Sequence, residues 1–219
     1  METSIRKAGG MYACWSVKGG SGTTVFACSL ALALSERHGS ATIIDLNGDV
    51  SAVLGMAEPT GRGVRDWLAD PVRVSQDLSS LRVTATSRLH LIPAGSPAMF
   101  DEASLLDLAA AVTDNHTVID FGSTRPPDSL RDILRADWLV TRACYLALRR
   151  AARLSRRPGG VVLLREEGRA LTTRDVQSVV GAPVVAEITV SDATARCVDA
   201  GLLATRLPKG LAEELSAVL

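Results

Sequence analysis

Aromatic residues are scarce in this chain: three Phe, three Trp and two Tyr, 4% of 219 positions. A core must then be built from Val, Ile, Leu and Ala, which suits a buried sheet with helices packed on its faces; hydrophobic residues reach 47%. No apolar run approaches the ~20 residues that a bilayer-spanning helix needs. Net charge is missing too. Lys+Arg and Asp+Glu are both 24, a formal charge of zero, so no global field draws the chain to nucleic acid or an anionic membrane. The four cysteines, Cys14, Cys28, Cys144 and Cys197, lie far apart without metal-ligand spacing. Cys14 in a predicted strand and Cys28 in a predicted helix read as buried free thiols, and a reducing, cytoplasmic setting is expected. The opening METSIRKAGG lacks an apolar core and does not read as a signal peptide. Residues 1–10 are expected to form a flexible leader and 11–219 a single domain.

What is present centres on Lys18-Gly19-Gly20-Ser21-Gly22-Thr23-Thr24. Tyr12–Val17 before it reads as a short buried strand, and Thr24–Ser35 after it as a helix with apolar residues on most faces. A glycine-rich turn between strand and helix lets backbone N–H groups close around a polyphosphate, aided by the positive helix N-terminus. The usual P-loop ends in Gly-Lys-Ser/Thr. Here a threonine stands where the lysine is expected, and Lys18 stands at the front of the loop.

Further strands are predicted at Ala41–Asp45, Leu89–Gly95, His116–Gly122, Trp138–Thr141, Val161–Leu164 and Val184–Ile188. Helices are predicted at Val64–Ala69, Ser104–Thr113, Leu146–Ser155 and Thr172–Val180, near 193–200 and over 209–219. The stretch Leu46–Gly63, rich in Gly and Pro, reads as a loop with short helical pieces. Strands alternating with helices predict a doubly wound α/β fold: one mostly parallel sheet with helices on both faces. Ligands bind such sheets beyond the C-terminal strand ends, where Lys18–Thr24, Asp45 and Asp120 all fall. Taken alone, an Asp at a strand end is as readily a loop cap.

Three motifs in order, Lys18–Thr24, Ile43–Val50 and Val118–Gly122, together with the Ile92-Pro93-Ala94-Gly95 turn, give the chain a resemblance to the MinD/ParA family of deviant Walker A proteins. Gly48-Asp49-Val50 after Asp45-Leu46-Asn47 is most similar to its pilus-assembly (CpaE/TadZ-like) branch. The resemblance implies ATP/ADP and Mg²⁺ as cofactors. Backbone amides of Gly20, Ser21 and Gly22, within the loop Gly19–Thr24, would hold the β-phosphate. Thr24 would ligate Mg²⁺, with Asp45 and Asp120 holding metal-bound waters. Lys18 would reach the phosphates of a partner subunit across a homodimer.

Two positions depart from that pattern. Thr23 replaces the lysine that bridges β- and γ-phosphates, and Asn47 replaces the second Asp of an Asp-x-Asp pair that orients the attacking water. Asn cannot accept a proton, though its carbonyl oxygen can orient a water. Slow or absent ATP hydrolysis is expected. At the base subsite, Arg165 follows the sixth strand, either stacking on the base or sitting as a solvated arginine. Arg142, Arg149, Arg150, Arg153, Arg156 and Arg157 lie together without an acid among them. On one helix they could meet DNA, though a solvated face balanced by Glu166 and Glu167 is the preferred reading. The 211–219 tail, short and acidic, reads as a packing helix rather than a membrane-binding one.

Three functions therefore remain open. One is a nucleotide-dependent dimerisation switch organising a pilus or secretion machine through a protein partner. The others are a DNA-binding partition ATPase and a scaffold that binds no nucleotide.

Overall fold

The computed structural model describes residues 10–112 and 116–219. In chain order its elements are β1 (Gly10–Trp15), α1 (Thr23–His38), β2 (Ala41–Asp45), α2 (Val50–Leu54), α3 (Val64–Ala69), α4 (Ser75–Ser80), β3 (Val83–Thr84), β4 (Leu89–Ile92) and α5 (Glu102–Ala111). There follow β5 (His116–Asp120), α6 (Asp128–Arg131), β6 (Ala136–Arg142), α7 (Tyr145–Ala151), β7 (Gly160–Arg165), α8 (Thr173–Val180), β8 (Val184–Thr189), α9 (Asp192–Asp199) and α10 (Lys209–Leu215), with a short 3₁₀ turn at Ser216–Val218. Apart from Gly10, which opens β1, the expected leader lies outside the described residues, as does Thr113 of the expected 104–113 helix.

The strands form one sheet in the order β3-β4-β2-β5-β1-β6-β7-β8. All neighbours are parallel except the two-residue edge strand β3, which runs against β4. The doubly wound α/β architecture expected from the sequence is the one observed.

Strand alternation assigns the two faces. Tyr12, Cys14, Val118, Val140, Val162 and Leu164 face α1, α2, α9 and α10. Ala13, Trp15, Ile119, Leu139, Val161 and Leu163 face the side occupied by α3, α5, α7 and α8. Helix α1 is buried almost all round because the sheet, α2 and α10 enclose it. Phe26 of α1 and Tyr12 of β1 both pack on Trp138 of β6.

Two helix expectations change. The predicted 146–155 helix stops at Ala151. Arg153 and Leu154 then make tight turns onto the carbonyls of Arg150 and Ala151, and Leu154 packs against the core. Arg153, Arg156 and Arg157 therefore share no helix face with Arg149. The 209–219 helix likewise tightens into the 3₁₀ turn after Leu215.

Two long-range contacts fix how the elements sit against one another. The buried Arg131 guanidinium of α6 pairs with Asp137 of β6 and donates to the Arg157 carbonyl, while Asp137 also accepts from the Gly159 amide. On the other side, the end of α2 meets the turn after α9 with no clearance: a Cβ on Gly55 would lie 1.9 Å from the Gly201 carbonyl oxygen. Among the described residues no helix is long and apolar enough to cross a membrane.

Asp137→Ala would remove the buried partner of Arg131, leaving it the more exposed Asp128 and the Arg157 carbonyl, and free the Gly159 amide, so a loss of about 3 kcal/mol of unfolding free energy is expected. Urea denaturation against the native chain checks this.

Candidate functional site

The sheet register brings the site together. Asp120 of β5 stands level with Asp45 of β2 and Cys14 of β1. Beyond these residues the strand ends stay zipped: Leu46 N donates to Asp120 O, Phe121 N to Cys14 O, and Ser16 N to Gly122 O, each at 2.9 Å. Three crevice-forming loops therefore leave the sheet from one line.

The first loop is Val17–Gly22. The Lys18 carbonyl is pinned by two hydroxyls, Ser16 Oγ at 2.8 Å and Ser21 Oγ at 2.9 Å. Gly20 (φ 71°) and Gly22 (φ 86°) take left-handed conformations that let the chain curl into α1. Gly22 is required for space as well, since a Cβ there would lie 2.4 Å from Leu164 Cδ1. Among the described residues, nothing accepts from the amides of Gly20, Gly22, Thr23 and Thr24. The loop is thus a rigid turn with free N–H groups at the start of a 16-residue helix, an arrangement suited to an anion.

Thr23 is buried, and its Oγ1 has no hydrogen-bond partner. The side chain that replaces the expected lysine therefore leaves a polar atom unsatisfied. Lys18 is half-buried, and its Nζ folds back on the Gly19 carbonyl at 3.2 Å.

Asp120 lies wholly within the protein. Its Oδ1 accepts from the Gly122 amide at 2.9 Å; Oδ2 is buried and makes no well-formed hydrogen bond, the Thr24 hydroxyl only approaching the carboxyl. Burial pushes its carboxyl up to about 6; the Thr24 hydroxyl and the Gly122 amide act against this, and Asp45 and Asp49 add to it. Asp45 is spent largely on its own loop. Oδ1 accepts from the Asn47 and Gly48 amides at 2.8 and 2.6 Å, and Oδ2 from Val50 N at 3.1 Å. Burial raises its carboxyl pKa, opposed by those three amides and by Arg65. Three acceptances leave about one of the ~4 lone-pair positions of a carboxylate open.

Asn47 does not point freely into the crevice. Its Nδ2 donates to Asp49 at 2.6 Å, and its Oδ1 sits where a Gly122 Cβ would be. Arg65, unremarked in the sequence, donates to the Leu46 carbonyl at 3.0 Å and covers the same loop. Among the described residues no three His, Cys, Asp or Glu side chains converge to hold a metal. A cation here would instead draw on Thr24, Asp120, water and phosphate oxygens, as Mg²⁺ commonly does.

Beside the loop, a cleft of about 190 Å³ opens between α1, the ends of β7 and β8, and α9. Gly22, Phe26, Leu164, Ile188 and Val198 give it apolar walls, and Arg142 and Ser191 polar edges. Arg165 is outside it: its guanidinium pairs with Glu187 at 2.7 Å on the opposite face, over α8. Arg142 takes the cleft side instead, pairing with Glu166 while its Nε stays buried and unpartnered. Alternation carries the signal for both: Val140 and Arg142 share a face with Leu164, and Arg165 shares the other with Leu163.

Two of the five remaining arginines of the run are engaged within the chain. Arg150 donates to the Val17 carbonyl, and Arg156 pairs with Asp132 at 2.6 Å.

No family model matches this chain, and no curated protein matches it in sequence. Solved structures do resemble it. A ParA family ATPase from Chlorobium tepidum TLS superposes with a TM-score of 0.75 at 22% identity, covering 97% of this chain and 98% of that one. The fold is that of the MinD/ParA ATPases. MinD from Pyrococcus horikoshii OT3, solved with Mg-ADP, gives 0.71 at 18% identity, covering 95% and 93%. The MinC:MinD cell division complex of Aquifex aeolicus gives 0.75 at 15%, covering 95% and 93%.

The buried carboxylate predicts a pH-dependent cost. An unfolded Asp binds its proton near 3.8 and folded Asp120 near 6. Between those values the folded state holds more protons, so stability falls as pH rises through the window and is lowest above it. Asp120→Asn, which keeps an acceptor for Gly122 N, is expected to raise stability at pH 7 by on the order of 2–3 kcal/mol. It should also flatten the change between pH 4 and 7, read by thermal denaturation across that range.

Proposed function

We propose that this chain binds a nucleoside di- or triphosphate with Mg²⁺ at Lys18–Thr24 and acts as a nucleotide-dependent dimerisation switch that hydrolyses ATP slowly or not at all. One observation carries the reading: free amides curl at the start of α1, and Asp120 Oδ2, a buried carboxylate oxygen with no well-formed hydrogen bond, lies at the end of the neighbouring strand β5. An anion meets the amides and a hard cation meets Oδ2; the two ligands arrive together in a metal–phosphate complex.

In this reading Gly20, Ser21, Gly22 and Thr23 present amides to the phosphates, Thr24 offers its hydroxyl to Mg²⁺, and Asp120 and Asp45 hold its waters. The ion neutralises phosphate charge when bound. The base enters the cleft between Phe26 and Leu164, with Arg142 rather than Arg165 at its edge. Asn47, held by Asp49, lacks a basic oxygen for the attacking water, and Thr23 supplies no ammonium. Both points support slow turnover. Lys18 is assigned the partner's phosphates; the weak bond of its Nζ to Gly19 O leaves it free to swing out.

The resemblance of Gly48-Asp49-Val50 to the CpaE/TadZ-like branch supports spatial organisation of a pilus or secretion machine, through a homodimer and a protein partner, as its role. The partition-ATPase reading is disfavoured, because α7 is short and Arg142, Arg150 and Arg156 are already bonded within the chain.

Calorimetric titration with Mg-ATP tests the proposal; no binding at millimolar nucleotide would end it. Thr23→Lys is expected to tighten Mg-ATP by roughly ten- to a hundred-fold, the ~1.5–3 kcal/mol of a charged hydrogen bond. Lys18→Ala should bind nucleotide yet lose the nucleotide-linked dimer in sedimentation; a dimer that persists removes the trans role of Lys18.

A further inference from the structure

Away from the nucleotide cleft, a groove of about 580 Å³ runs between α9, the turn that follows it and the start of α10. That size lies within the ~300–1,000 Å³ of ordinary ligand clefts. Its floor is apolar: Ala193, Leu202, Leu207 and Pro208, with Leu202 46% exposed. Its charged members are all cations, Arg196, Arg206 and Lys209. In a chain whose total charge is zero, this is a local excess.

Those cations are available. The one ion pair of Arg196 is long, 3.7 Å to Asp192, between side chains 74% and 93% exposed. Arg206 and Lys209 have no ion-pair partner among the described residues. The groove is also preformed. Leu202 N donates to Cys197 O, Thr205 N and Arg206 N donate to Leu202 O, and Cys197 Sγ donates to the Arg206 carbonyl at 3.1 Å. Little ordering is left to oppose binding.

We propose that this groove docks an acidic peptide segment of a partner protein. An aliphatic side chain of the segment sits among Leu202, Leu207 and Pro208, and flanking carboxylates meet Arg196, Arg206 and Lys209. Charge complementarity supplies the sign of the ligand, and the apolar, concave floor supplies its shape. A nucleic-acid backbone or a bilayer presents no aliphatic knob to such a concavity. Acids flank the groove too, Asp192 and Asp199 on α9 and Glu213 on α10, so carboxylates of the ligand are favoured only at the three cations within the groove, a fit open to a short segment and not to an extended anionic surface.

The test is fluorescence anisotropy of a fluorescein-labelled Glu-Asp-Leu-Glu-Asp peptide titrated with the full chain. Saturable binding is expected, absent for Gln-Asn-Leu-Gln-Asn. Arg196→Glu with Arg206→Glu is expected to weaken it at least about tenfold, since two charge-assisted contacts are reversed. Leu202→Glu, at an exposed site, should weaken it comparably. Arg88→Glu, exposed and distant, should leave it unchanged, and circular dichroism checks that each variant is folded. No saturable binding, or equal binding by the double variant, overturns the proposal. So does tighter binding to phosphatidylserine vesicles or duplex DNA that the same variants abolish, which would reassign the groove to lipid or nucleic acid.

Discussion

The level register of β1, β5 and β2 is the constraint on which the site depends. Cys14, Asp120 and Asp45 stand abreast, and three backbone hydrogen bonds carry the pairing one step past the strands. A one-residue slip would turn Asp120 from the crevice into the opposite face of the sheet. It would also take the Gly122 carbonyl away from Ser16, whose amide and hydroxyl both use it and whose hydroxyl also holds the Lys18 carbonyl. The glycine loop has its shape because the sheet beneath it is in register. The anion-facing amides are a consequence of strand pairing as much as of glycine content.

That dependence explains what the sequence disclosed. The loop, Asp45 and Asp120 were legible because each sits where a short apolar run ends, and parallel strands ending in polar residues line up their ends. The core faces were legible for the same reason. Side-chain partners across the sheet were harder. Arg165 reads as a residue following a strand, and only the face taken by its neighbour Leu164 shows that it turns away from the cleft. Arg65 lies nineteen positions from the carbonyl it bonds, and no local pattern joins α3 to the Leu46 loop. The two-residue strand β3 and the four-residue helix α6 are too short to carry a period. The arginine run looked helical by composition, yet Leu154 ended the helix by turning into the core.

Among the buried polar atoms left unsatisfied, three border the crevice. Asp120 Oδ2 and Thr23 Oγ1 both lie at the junction of β5, the loop and α1, and Arg142 Nε lies at the edge of the adjoining cleft. Buried polar groups ordinarily find partners, and leaving one without costs about 1–3 kcal/mol. At the strand ends the fold therefore carries a cost that folding alone does not require, and a ligand satisfying these atoms would relieve it.

The meeting of Gly55 with Gly201 has a mechanical meaning. Two backbones touch there without a side chain between them, so the contact cannot be absorbed by rotamer changes. Helix α2 begins at Val50, whose amide Asp45 holds, and α9 ends just before Gly201 while walling the apolar cleft. A shift of the Asp45 loop along α2 towards α9 would therefore run into the Gly201 backbone. The loop beside Asp120 and the far wall of the cleft meet through one stiff contact that no side chain cushions.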